Sequence, residues 1–193
     1  MKLVLVHGFN VKDKGRNTTD RLAPYARAND LKIDIDEGDY GYFNLFMIRW
    51  FKAYLKSRVI YRLAKAFEDA DIIITHSNGA NFAIQALDLL PAVYNNTKIV
   101  IHISPALNSG TPIPCAVKAQ LVLYTPHDGW VKLASYLPLH PWGRMGARGY
   151  TGTSNKNTNQ ENDAVKKHSD WFKIKHVRST WTYCYDFIKE HTK

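Results

Sequence analysis

The stretch 74–81, ITHSNGAN, puts a serine where a short apolar run gives way to a longer apolar segment of helical length. A hydroxyl on such a turn can serve as a nucleophile toward a carbonyl carbon. It can equally be a serine that caps the helix. A nucleophilic serine needs a base within reach and an acid to orient that base. Asp128, in LVLYTPHDGWV, is a candidate acid just beyond an apolar run, and it also reads as an N-cap for GWVKLASYL. Eight histidines compete for the role of base. His7, His76 and His102 lie in or beside strand-like runs, His127 adjoins Asp128, and His140 and His191 lack a motif. His168, in VKKHSDWF, follows a long polar stretch, whereas His176, in KIKHVRS, ends a strand-like run before the last helix.

The elements that must position these residues are legible as alternating patterns. Strand-like runs occur at 2–6 (KLVLV), 31–36 (LKIDID), 71–75 (DIIIT), 98–104 (KIVIHIS) and 120–125 (QLVLYT). The last three are nearly continuous β-branched or apolar runs, as expected of parallel strands covered on both faces. Helical or polar segments separate the runs, which predicts one α/β domain over 1–193, an open and mostly parallel sheet of about five strands. GANFAIQALDLL is apolar nearly all round and reads as a buried helix. Residues 143–163 are polar and glycine-rich and read as a long loop; the chain closes with STWTYCYDFIKEH, a helix that Ser179 or Thr180 can cap.

Segment 43–67 is a candidate lid-like helical insertion. On a helical wheel Arg49, Lys52 and Lys56 share one face of its first half, and Arg58, Arg62 and Lys65 share the opposite side of its second half. A break near Ser57 accounts for the change of side, with a single helix packed differently along its length as the other reading.

Taken in order, these pieces resemble the α/β-hydrolase superfamily. Its G-x-S-x-G nucleophile elbow appears as Thr75-His76-Ser77-Asn78-Gly79, with Thr75 in place of the first glycine. VLVHGFN, residues 4–10, resembles the loop that supplies one oxyanion donor. The resemblance implies Ser77 as nucleophile, Asp128 as acid and His168 as base in the family order, and the backbone N–H groups of Phe9 and Asn78 as the oxyanion hole. His168 before a small residue and aromatics is similar to the late family motif, which favours it over His176. GDYGYF, residues 38–43, resembles small lipase- and esterase-like members from bacteria and phages. Tyr40, Tyr42 and Phe43 are accordingly expected to line the substrate pocket. The implied activity is hydrolysis of a carboxylic ester or thioester through an acyl-enzyme, with no cofactor and no metal. The alternative is a non-catalytic hydrolase-fold protein that binds a ligand or partner.

Composition bounds these readings. Nearly half of the 193 residues are apolar, enough for a core without disulfides or metal. The two cysteines form no disulfide framework; Cys184 shares a helical face with Trp181, Tyr185 and Ile188 and is expected to be a buried thiol in a reducing, cytoplasmic setting. A net charge of +9 is compatible with a small anionic ester or acyl substrate or with a membrane surface. No nucleic-acid motif accompanies it, so nucleic acid is not an expected partner.

Overall fold

The computed structural model describes residues 1–8, 17–29, 52–136 and 142–192, with the side chains of 52–56 and 134 left aside. The expected strand at 31–36, together with Phe9, Tyr40, Tyr42 and Phe43, lies outside the described residues. So does the first half of the lid-like segment up to residue 51.

Five parallel strands form one sheet in sequence order: β1 (Leu3–Val6), β2 (Ile72–His76), β3 (Lys98–Ile103), β4 (Val117–Tyr124) and β5 (Asn157–Glu161). Alternate side chains leave opposite faces of a strand, so each of the first four strands feeds two cores. Leu3, Leu5, Ile72, Ile74, Ile101 and Leu123 pack on one side with the C-terminal helix. Val4, Val6, Ile73, Val100 and Val117 pack on the other with the helices that flank β2. Burial on both faces, broken in β4 only at Lys118 and Tyr124, is why these strands lack a polar alternation.

Among the described residues the α-helices are α1 (Ala23–Arg27), α2 (Lys52–Glu68), α3 (Gly79–Leu87), α4 (Gly129–Ala134), α5 (Met145–Arg148) and α6 (Ile174–His191). The buried helix expected after Ser77 is α3, with Phe82, Ala83, Ala86 and Leu87 in the core. α2 runs unbroken through Ser57, which corrects the expected break. No proline or glycine interrupts 52–68, and a lone serine does not kink a helix whose apolar face is seated. That face is Val59, Ile60, Leu63, Ala64 and Phe67, while Arg58, Arg62 and Lys65 are exposed.

Two further expectations are corrected. Residues 143–163 are not one loop, because they contain α5 and β5. β5 reads NTNQE and escaped notice because its side chains carry no apolar period; backbone pairing to β4 and polar contacts hold it instead. Those contacts include Gln120 Nε2–H to Asn157 Oδ1 at 2.9 Å and Tyr124 O–H to Glu161 Oε2 at 2.5 Å. The C-terminal helix starts at Ile174, five residues before the expected cap, so His176 sits in its first turn and ends no strand. Ser179 and Thr180 are inside the helix and donate back to the carbonyl of His176 at 2.8 and 3.0 Å. Val177, Trp181, Cys184 and Ile188 make the buried stripe of α6, and burial pushes the Cys184 thiol up from its ordinary pKa, as expected of an inert core cysteine. Among the described residues no helix is long and apolar enough to cross a membrane.

Candidate active site

β2 ends at His76, and the chain turns at once into α3. Ser77 takes φ 54°, a left-handed conformation rare for a residue with a Cβ. Strain of this kind persists only where the surroundings hold it. Here the Ser77 N–H donates to the carbonyl of Ile103 on β3 at 3.2 Å, and the Ser77 carbonyl accepts from Ala80 and Ala106 at 3.2 and 3.1 Å.

The turn is crowded. A Cβ on Gly79 would stand 2.3 Å from the carbonyl oxygen of His7 and 3.0 Å from that of Val6. A Cβ on Gly8 would stand 3.0 Å from the Cβ of Ser77 and 3.0 Å from His76 Nδ1. The His-Gly segment after β1 is therefore pressed directly against the serine turn. Thr75, the departure from the family pattern, fits because its side chain turns toward β3. It is fully buried, and its hydroxyl shares a 2.6 Å hydrogen bond with His102 Nδ1, its register partner. Burial pushes His102 down to about 4, so the ring is neutral at pH 7.

Asp128 and His168 are brought together. His168 Nδ1–H donates to Asp128 Oδ2 at 2.7 Å, with the carboxylate fully buried and the imidazole largely so. Asp128 does two jobs, since its Oδ1 accepts from the N–H of Val131 at 3.0 Å and caps α4. With its proton on Nδ1, His168 has a lone pair on Nε2 and can accept a proton there. The loop that carries His168 is pinned at both ends. The Thr125 hydroxyl donates to the carbonyl of Val165 at 2.7 Å, and Trp171 Nε1–H donates to Ser104 Oγ at 2.8 Å. His176, in α6, takes no part in the pair.

His76 joins the two halves of the site. Its ring centroid lies 4.7 Å from that of His168, and its Nε2–H reaches the His168 carbonyl at 3.4 Å. Burial, with the neighbouring His168 adding to it, holds His76 well below the usual histidine range. A neutral ring beside His168 adds no charge to oppose an imidazolium forming there. Ser77 Oγ makes no hydrogen bond among the described residues, so serine and histidine share one end of the sheet without a bond between them in this state.

Asn78 precedes the first turn of α3, where backbone N–H groups lack intrahelical partners. Its side chain has an anchor that the sequence did not signal: Trp142 Nε1–H donates to Asn78 Oδ1 at 2.7 Å. Trp142 is 64 residues away in a polar stretch, with no motif around it.

No family model and no curated protein matches the chain. Solved structures do. Over 99% of this chain and 95% of the other, the fold is similar to that of a Paleococcus ferrophilus monoacylglycerol lipase (TM-score 0.57, 11% identity). It is also similar to S. aureus MenH (TM-score 0.55, 11% identity, 100% and 95% covered). A Pyrococcus furiosus esterase matches with TM-score 0.52 and 12% identity over 98% of this chain and 80% of that one. The chain has the α/β-hydrolase fold.

Proposed function

We propose that the protein is a serine hydrolase that cleaves a carboxylic ester or thioester through an acyl-enzyme, with Ser77, His168 and Asp128 as its triad. The observation that carries this reading is the buried 2.7 Å Asp128–His168 bond at the sheet end where Ser77 sits at φ 54°. Ser77 Oγ attacks the substrate carbonyl while its proton passes to His168 Nε2, and Asp128 stabilises the imidazolium. The oxyanion is held by the backbone N–H groups of Asn78 and Phe9, each such donor contributing about 3 kcal/mol. The tetrahedral adduct collapses, and the leaving alcohol or thiol takes the proton from His168. Water then repeats the sequence and frees the acid. The missing serine–histidine bond is compatible with this scheme, since catalytic hydrogen bonds often tighten only with substrate bound. Tyr40, Tyr42 and Phe43 belong to the substrate pocket in this reading.

A fluorophosphonate probe tests it. The protein should be labelled covalently at Ser77, and Ser77→Ala should abolish labelling while the fold persists. Labelling that survives this substitution would remove Ser77 from the mechanism.

A further inference from the structure

A cleft of about 290 Å³ is lined by Asn108, Ser109, Ser135, Tyr136, Trp142 and Arg144. Both walls are tied to the serine turn. On one wall, Ala106 N–H bonds the Ser77 carbonyl at 3.1 Å, two residues before Asn108. On the other, Trp142 bonds the Asn78 side chain at 2.7 Å, two residues before Arg144. The walls are also laced to each other, Met145 N–H to Leu107 O at 2.9 Å and Gly146 N–H to Pro105 O at 2.8 Å.

Arg144 is the one charged residue in this lining, and it is held in position. Its Nε–H donates to Ser135 Oγ at 3.0 Å, and the Ser135 hydroxyl in turn donates to the Lys132 carbonyl at 2.7 Å. The guanidinium carbon lies 4.4 Å from the centroid of the Tyr136 ring. Among the described residues, one of its five N–H donors is engaged and no carboxylate pairs with it. A half-buried guanidinium oriented by a hydroxyl and an aromatic face, with no acid beside it among the described residues, matches a carboxylate arriving from outside.

We propose that this cleft is a specificity site in which Arg144 binds a carboxylate carried by the ester substrate, so that the enzyme prefers esters bearing a second, anionic group. This rests on the reading of Ser77 as an ester-cleaving nucleophile. It locates the electrostatic preference at one fixed side chain and not in the diffuse positive charge of the surface.

Two measurements separate the proposal from that reading. The first compares kcat/KM for mono-4-nitrophenyl glutarate and 4-nitrophenyl butyrate, and for 4-acetoxybenzoate and phenyl acetate, which place the anion on the acyl and the alcohol side. In at least one pair the anionic ester should be preferred about tenfold or more. Arg144→Gln should erase that preference through KM, and Arg144→Lys should restore part of it. Equal rates within both pairs, or a preference that Arg144→Gln leaves intact, would overturn the proposal. The second is calorimetric titration of the Ser77→Ala protein with glutarate, which should bind in the millimolar range and lose that binding with Ser135→Ala or Arg144→Gln. Glutarate binding by a protein that hydrolyses none of the four esters would support the anion site and overturn the esterase. Ester hydrolysis without glutarate binding or anionic preference would do the reverse.

Discussion

The two oxygens of Asp128 can be separated by substitution. Oδ1 caps α4 through Val131 N–H, and Oδ2 accepts from His168 Nδ1–H. Asparagine offers one acceptor to these two donors. It can keep the cap only by presenting its amide N–H to His168, and the imidazole then answers with a lone pair on Nδ1. That tautomer carries its proton on Nε2 and cannot take one from Ser77. Asp128→Asn should therefore lower kcat by about 10⁴, the size of loss seen when a triad acid is made an amide. Asp128→Ala should lower it as far, and should also lose the cap, worth about 1 kcal/mol. In a chain of this size that is a further fall in Tm of about 3 °C relative to the asparagine variant. Ester hydrolysis and thermal unfolding, measured on both variants, make the comparison. Asparagine activity above a tenth of wild type, or an alanine variant as stable as the asparagine one, would refute the double role.

Gly79→Ala should cost on the order of 1–3 kcal/mol in urea unfolding, because its Cβ would meet the His7 carbonyl at 2.3 Å and backbone cannot swing aside. A variant with an unchanged midpoint would show that α3 can retreat from β1 freely. His102 supplies a pH dependence. Its folded pKa of about 4 lies below its ordinary 6.5, so the unfolded chain binds the proton first as pH falls. The stability it contributes is fully present above pH 6.5 and is lost between 6.5 and 4, roughly 2 kcal/mol of it by pH 5. Urea unfolding of wild type and His102→Gln at pH 7 and 5 should show a shallower loss in the variant, and equal losses would exclude this source.

The sequence made the apolar parts of the fold legible. β1 to β4 are buried almost throughout and announce themselves as nearly continuous apolar runs, and α3 does so by being apolar nearly all round. β5 could not be read in this way, because NTNQE is held by backbone pairing and amide contacts rather than by burial. KIKHV alternates like a strand, yet Val177 starts a helical stripe that continues through Trp181 and Cys184, and the longer pattern prevails. Within the site, Asp128 and His168 were readable from their order and neighbours, and the structure joins them. Trp142 and Arg144 were not readable, since their value lies in contacts made across many residues of chain.

The polar construction of β5 has a consequence for how the molecule comes apart. Elements that bury little apolar surface tend to open first, at free energies below that of global unfolding. β5 leads directly into the segment that returns His168 to Asp128. A fluctuation that peels this strand from β4 would carry the histidine out of the site while both cores beneath stay intact. The proposed triad would then be incomplete in a population of molecules that still count as folded. The two pins on that segment, Thr125 to Val165 before the histidine and Trp171 to Ser104 after it, oppose such an excursion. The integrity of the proposed site is on this account a local equilibrium, governed by a handful of amide and hydroxyl contacts and only loosely tied to the stability of the whole chain.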